Sequence, residues 1–309
     1  MKALRVAVRW AVWGGTAICL AAILIHATVR DRWLGISTLY YATPPAVVAI
    51  FGLICAAGWL VLRRRAAAAA LLVLALLCTG WWYRASFVEH AGGPRPGDLD
   101  VLFWNTARGS HGWAKVFANI RQQQPEIVGI VEAGYRDTNF VERWREAFPE
   151  YAHSDTGGNM LLMCRGKITR AHNVDLGDDG TYKHVLVEID GRRLRVILVD
   201  LAANPFYSRG RPLARLTEDV RRLSDVPLIV MGDFNTPAES VHFRSLRNEM
   251  THAFENAGDG YLPTWPLPVP VLKLDHIWFN EHVAVSACRA GWASGSDHRH
   301  LRCFLQPRE

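Results

Sequence analysis

Three stretches without a formal charge, Trp10 to Val29, Trp33 to Leu62 and Ala66 to Tyr83, fill most of the first 90 residues. Each approaches or exceeds the roughly 20 apolar residues that a helix needs to cross a bilayer. A helix in a soluble bundle keeps a polar face, whereas Val47 to Leu62 and Leu71 to Leu77 are apolar all round. A cleaved signal peptide would account for the first stretch only, with Lys2, Arg5 and Arg9 as its basic start. The sequence therefore predicts three transmembrane helices, and Pro44 and Pro45 mark the start of the second, since proline is tolerated in a first helical turn.

Basic residues that flank membrane helices tend to stay in the cytoplasm. Lys2, Arg5, Arg9 and Arg63 to Arg65 lie on one side of the three spans, and Arg30, Arg32 and Arg84 on the other. This asymmetry predicts a multi-pass plasma (inner) membrane protein with its N-terminus inside and everything beyond Tyr83 outside the cytoplasm. The net charge of +6 suggests a nucleic-acid footprint until it is divided along the chain. Residues 1–90 hold nine Lys and Arg against Asp31 and Glu89, while the rest holds 26 basic and 27 acidic residues. The basicity belongs to the membrane flanks, so nucleic acid is the less favoured partner.

Cys19, Cys55 and Cys78 lie in the apolar segments, and Cys164, Cys288 and Cys303 in the polar part. Cys288 and Cys303 either bridge neighbouring strands or remain buried thiols, and spacing leaves both readings open. No Cys/His spacing suggests zinc.

Residues 1–88 thus read as a membrane anchor, 89–98 as a Gly- and Pro-rich linker, and 99–309 as the domain that carries chemistry. Val101 to Trp104, Ile127 to Val131, Leu161 to Cys164, Val185 to Ile189, Leu194 to Val199, Pro227 to Met231, Ile277 to Phe279, Val283 to Cys288 and Leu301 to Leu305 have strand character. Asp190-Gly191 joins two of them at hairpin spacing. Trp113 to Gln124, Thr138 to Phe148, Arg209 to Leu223 and Ala238 to Arg247 have helical character. Strands outnumber helices without strict alternation, which predicts an α/β fold of two packed sheets with outer helices.

Several of the apolar runs end in a carboxylate or an amide: Asn105 after Phe103-Trp104, Glu132 after Ile130-Val131, Asp233 and Asn235 after Val230-Met231, and Asp275 beside His276. Ser296-Asp297-His298 precedes the last strand. Strand ends that share one edge converge on a crevice. Carboxylates gathered there raise one another's pKa unless a cation neutralises them, and an oxygen donor set selects Mg2+ or Mn2+ over zinc. Such an ion polarises a phosphoryl oxygen, as hydrolysis of a phosphate ester requires.

Asn105, Glu132, Gly232-Asp233-Phe234-Asn235, Leu274-Asp275-His276-Ile277 and Ser296-Asp297-His298, in that order, resemble the motif series of the endonuclease/exonuclease/phosphatase superfamily. The match covers about residues 99–306. The resemblance implies a four-layer α/β sandwich with Glu132, Asn105 and Asp297 as metal ligands. It also implies that Asp233 and Asn235 position and activate water, and that His298, oriented by Asp275, contacts the scissile phosphate. The apolar front end is similar to membrane-bound bacterial members, including those linked to teicoplanin resistance. Two positions depart from the pattern. Asp200 stands where many members carry histidine, and Ala107 where some carry an acid. Asp200 is then a candidate second metal ligand or substrate contact, and His184 or Lys183 a candidate substitute cation. The expected function is hydrolysis, outside the cytoplasm, of a phosphate ester, phosphodiester or pyrophosphate, with a lipid-linked phosphate as the substrate class suggested by the bilayer partner. No obligate protein partner is implied. The alternatives are an extracytoplasmic nuclease and a catalytically inactive binding module.

Overall fold

The computed structural model describes residues 2–308 except 91, 135–138 and 155–158. The chain separates into two compact units, Met1–Phe87 and Val88–Glu309. The first holds α1 (Lys2–Ala27), α2 (Leu34–Ala42), α3 (Pro45–Val61) and α4 (Arg65–Ser86). Arg5–Ala27 and Arg65–Ser86 are each long and apolar enough to span a membrane. The second expected span, Trp33 to Leu62, is not one straight helix: α2 and α3 meet at a 67° bend. Pro45 opens α3, and the Pro44-Pro45 pair stops α2 because neither residue offers an N–H to continue it. The helices meet through small residues and polar contacts, with Gly58 against Val12, Gly52 against Ala75, and Trp59 Nε1 donating to Thr16 Oγ1 at 3.1 Å. Leu20, Leu24, Ile54, Leu76 and Leu77 point outwards, an arrangement that suits hydrocarbon and not water.

In chain order the remaining elements are β1 (Phe87–Glu89), β2 (Leu99–Asn105), α5 (Trp113–Gln123), β3 (Ile127–Val131), α6 (Phe140–Ala147), β4 (Ala152–His153), β5 (Met160–Cys164), β6 (Lys167–Asp175), β7 (Gly180–Ile189) and β8 (Arg192–Leu201). There follow α7 (Gly210–Arg222), β9 (Leu228–Asp233), α8 (Arg244–Glu249), β10 (Thr251–His252), α9 (Ala253–Ala257), β11 (Asp259–Tyr261), β12 (Asp275–Phe279), β13 (Val283–Gly291) and β14 (His300–Pro307). Two six-stranded mixed sheets have the orders β13-β14-β2-β3-β5-β4 and β10-β12-β9-β8-β7-β6. Each has one parallel pair near its centre, β2 with β3 and β8 with β9. A parallel pair needs a crossover, supplied by α5 and α7, and each crossover helix covers the outer face of its sheet. Val116 and Ile120 of α5 pack on Leu102, Trp104, Val128 and Ile130; Leu213, Leu216 and Val220 of α7 pack on Ile197, Val199 and Val230.

The alternate residues of the same strands, among them Val101, Phe103, Val131, Val196, Leu198, Ile229, Met231 and Ile277, form the core between the sheets. The result is the four-layer α/β sandwich. Gly129 lets the sheets approach, since a Cβ there would lie 2.4 Å from Met231 Cε and 2.9 Å from Leu198 Cδ1. Cys288 and Cys303 face each other in register across β13 and β14 and are joined by a disulfide. One expectation needs correction. The helix expected over Ala238 to Arg247 begins at Arg244, because Ser240 Oγ accepts from His242 N and caps a short 3-10 turn first. The helix expected from Thr138 is seen from Phe140, and Thr138 itself lies outside the described residues.

On the outer face of the second sheet, two buried histidines form a directed chain. His276 Nε2 lies 2.9 Å from the Thr236 carbonyl and must donate to it, so in the neutral ring Nδ1 accepts from His252 Nε2 at 3.0 Å. His252 Nδ1 is then free to accept from Glu255 N at 3.2 Å and cap α9. Every bond requires neutral rings. Burial lowers both histidines to about 3, helped by Arg247 at His252 and by His252 at His276. Their folded pKa lies below the usual 6.5, so the stability they confer is present above that pH and is lost as pH falls towards about 3. His252→Asn, which keeps a capping side chain, is expected to flatten the fall of melting temperature between pH 6.5 and 4, measured by thermal denaturation.

Candidate active site

The alternation that builds the inner core also builds the site. Continuing the inner row by two residues leads from Phe103 to Asn105, from Leu198 to Asp200, from Met231 to Asp233 and back from Ile277 to Asp275. The register aligns Asp200 with Asp233 and Asp233 with Asp275, placing three carboxylates side by side on adjacent strands at one end of the sandwich. Asn105, Asp233 and Asp275 are buried. Like charges set directly opposite on neighbouring strands are destabilising, so this row needs compensation.

Part of that compensation comes from hydrogen bonds. Asn105 Nδ2 donates to Asp233 Oδ2 at 2.9 Å and, more weakly, to Glu132 Oε1 at 3.4 Å. The backbone N–H of Asn235 donates to Asp233 Oδ1 at 2.8 Å, and Asn235 Nδ2 donates to the Leu201 carbonyl at 2.8 Å. Glu132 stands one residue past β3 with φ of 52°, and Asn235 two past β9 with φ of 46°. Left-handed backbone costs a side-chain-bearing residue roughly 1–2 kcal/mol, more for Glu132 than for an asparagine. Glu132 Oε2 pairs with Arg108 Nε at 2.9 Å.

His298 supplies the opposite charge. Its Nδ1 lies 2.9 Å from Asp275 Oδ2 and its Nε2 3.9 Å from Asp233 Oδ2. Burial alone would lower its pKa, but Asp275, Asp233 and Asp297 outweigh burial and push it up to about 10. Asp233 is raised to about 7 by burial and by Asp275, against the opposing pull of His298, Asn105 and Asn235. Asp200 is raised well above its usual value by burial, Asp233 and Glu132, with Arg108 and His298 opposing.

The excess of carboxylates fits a divalent cation. Asp275 Oδ1 is a buried acceptor without a hydrogen-bond partner, and Asp200 and Asp233 are held off their ordinary ionisation by burial and by neighbouring carboxylates. Ligand atoms of Asp233, Asp275 and His298 lie within 4.8 Å of one another. An imidazolium has a proton on both ring nitrogens and no lone pair to offer, so the donors of this cluster are the oxygens. An oxygen set of this kind suits Mg2+ or Mn2+.

Of the expected residues, Asn105, Glu132, Asp200, Asp233, Asn235, Asp275 and His298 meet at this end. Asp297 sits on the His298 flank, where its Oδ2 accepts from Trp265 Nε1 at 3.1 Å, and it makes no hydrogen bond with Glu132 or Asn105. Its charge supports His298, and Ser296 Oγ, which donates to the Asn105 carbonyl at 2.7 Å, keeps this turn against the end of β2. His184 is turned away: it follows the outer parity of Tyr182 and lies 3.6 Å from Asp219 on α7. Lys183 points between the sheets, where its Nζ donates to the Met160 carbonyl at 2.7 Å. Arg108 and Trp265 were not foreseen as site residues, and neither was buried Arg209, whose Nε donates to the Asn235 carbonyl at 3.2 Å. An arginine between Ala107 and Gly109 carries no periodic signal, and Arg209 reads in sequence as the start of a surface helix.

A model of the Endonuclease/Exonuclease/phosphatase family matches residues 102–298. No curated protein matches the chain. Among solved structures, the Bacteroides thetaiotaomicron mannosyl-6-phosphatase superposes with a TM-score of 0.58 at 14% identity, covering 67% of this chain and 99% of that one. The human Nocturnin catalytic domain with bound sulfate gives 0.55 at 18%, covering 72% and 96%. D. rerio TDP2 complexed with single-strand DNA product gives 0.54 at 14%, covering 68% and 99%. At these identities the structures speak for the fold. They do not bear on the narrower likeness to members linked to teicoplanin resistance. If Glu132 holds the cation, Glu132→Gln should weaken Mg2+ binding by at least about tenfold in calorimetry while leaving the circular dichroism spectrum unchanged.

Proposed function

Because the chain belongs to the endonuclease/exonuclease/phosphatase family, we propose that it is a membrane-anchored, metal-dependent phosphoesterase whose substrate is a phosphate ester or pyrophosphate at the outer bilayer surface. The observation that carries this reading is the convergence of Asn105, Glu132, Asp200, Asp233, Asp275 and His298 at one end of the inter-sheet layer.

The side chains divide the work by what holds them. Asp233, fixed through both oxygens by Asn235 N and Asn105 Nδ2, is oriented to accept a proton from the attacking water. His298 donates to a phosphoryl oxygen, and Asp275 keeps its imidazolium in place as negative charge grows. Glu132 and Asn105 would hold Mg2+ or Mn2+, with Asp200 alongside. The bound ion polarises the phosphoryl oxygen and stabilises charge on the leaving group. Asp200 in place of a histidine makes the site more acidic, which increases its need for a cation.

The anchor reading rests on the two helices long and apolar enough to cross a membrane and on the bent α2 and α3 pair. The excess of basic residues on one side of the spans supports an outward-facing catalytic unit. The Cys288–Cys303 disulfide suits an oxidising compartment, the same side of the membrane. A membrane anchor favours lipid-linked phosphate over soluble nucleic acid, for which the near-neutral polar unit lacks the Lys and Arg surplus.

Full-length protein in proteoliposomes with Mg2+ is expected to release phosphate or alcohol from a panel of p-nitrophenyl phosphate, bis-p-nitrophenyl phosphate and a polyprenyl pyrophosphate. Asp233→Ala should lower that turnover by about 10² to 10⁴ without loss of fold. Undiminished turnover in Asp233→Ala contradicts the proposal, and so does a wild-type protein inert on the whole panel. Activity confined to DNA or RNA would move the reading to a nuclease.

A further inference from the structure

Exposed large apolar side chains in residues 88–309 are few, and their positions are not scattered. Among the described residues they are Phe206, Tyr207, Val269 and Trp292, with Phe206, Val269 and Trp292 respectively 64%, 68% and 59% exposed. All four lie on three loops that leave the sheets at the end where the carboxylates converge. Residues 202–209 follow Asp200 and the end of β8; residues 264–271 precede Asp275 and β12; residues 292–299 join β13 to β14 and carry Asp297 and His298.

The loops are braced from beneath, so the apolar tips are presented and not merely loose. Buried Arg209 donates to the Asn204 carbonyl at 3.2 Å and to the Asn235 carbonyl, tying the first loop to the site. Leu267 N donates to the Asp297 carbonyl at 2.8 Å, tying the second loop to the third. Arg299 sits 4.4 Å from the Trp292 ring centre and donates to the Pro263 carbonyl at 2.9 Å. Exposed apolar residues grouped around a polar crevice mark an interaction surface, and aromatic residues with a polar edge favour the membrane–water interface.

We propose that Phe206, Tyr207, Val269 and Trp292 enter the headgroup and upper acyl region of a lipid bilayer, so that the crevice opens directly onto phosphate carried by a membrane lipid. The occupant is lipid because the same chain carries helices apolar enough to span a bilayer. The inference rests on the proposed membrane tether and adds to it the surface by which the site meets its substrate.

The native free thiols Cys19, Cys55, Cys78 and Cys164 are buried, which leaves introduced cysteines as the accessible labelling sites. Full-length Val269→Cys and Asp225→Cys, each carrying an environment-sensitive fluorophore, are reconstituted into proteoliposomes containing lipids with a nitroxide on the upper acyl chain. Asp225 lies in the turn before β9, at the opposite end of the sheets from Asp233. Quenching at position 269 should exceed that at 225 by at least about twofold. Equal quenching at the two positions, or none at 269, overturns the inference and would point to a soluble or protein occupant of the rim. The readout needs no turnover, so it stands or falls separately from the phosphoesterase reading.

Discussion

Repulsion among carboxylates that strand geometry forces together governs the polar end of this molecule. Two mixed sheets pack face to face, and strict alternation makes the inner rows of apolar side chains on β2, β8, β9 and β12 end in Asn105, Asp200, Asp233 and Asp275. The same alternation that makes the core dry makes the crevice acidic. Neutral hydrogen bonds from Asn105 and Asn235 and the imidazolium of His298 offset part of the repulsion. Asp233 and Asp200 remain held away from ordinary ionisation, and Asp275 Oδ1 has no partner. A site with this residual charge is built for a cation, in keeping with a family of phosphoester hydrolases.

The geometry also assigns distinct work to similar residues. Asp275 and Asp233 are register neighbours on β12 and β9, yet Asp275 holds His298 while Asp233 is fixed by an amide and a backbone N–H. One serves the cation of the pair, and in the proposed mechanism the other would accept the proton of the attacking water. Asp297, next to His298 in sequence, accepts from Trp265 through one oxygen and adds negative charge beside the imidazolium.

Much of this was legible in the sequence because strand ends are marked twice, by the end of an apolar run and by the polar residue that follows. Asn105, Glu132 and Asp233 could be placed that way, whereas Asp275 opens β12 ahead of its apolar residues. Residues whose direction depends on parity within a strand could not be: Lys183 and His184 are adjacent, yet one faces the inner layer and the other faces α7. The strand β6 was missed since it lies at a sheet edge with mostly polar, partly exposed residues and so shows no apolar run. The bend between α2 and α3 was half legible, as Pro44-Pro45 announced the start of a helix but the preceding short helix had no signal of its own. Arg108 and Arg209 act through backbone turns that bring them back to the site, which no spacing rule reveals.

The central claim is that Glu132 and Asn105, with Asp200 alongside, hold one divalent ion at the ends of neighbouring strands, and anomalous diffraction from crystals soaked in Mn2+ tests it directly. The account predicts a single dominant peak at the crevice, about 2.0–2.3 Å from oxygens of Glu132 and its neighbours. A peak held elsewhere in the protein, or none at saturating Mn2+ with the crevice open, would contradict it.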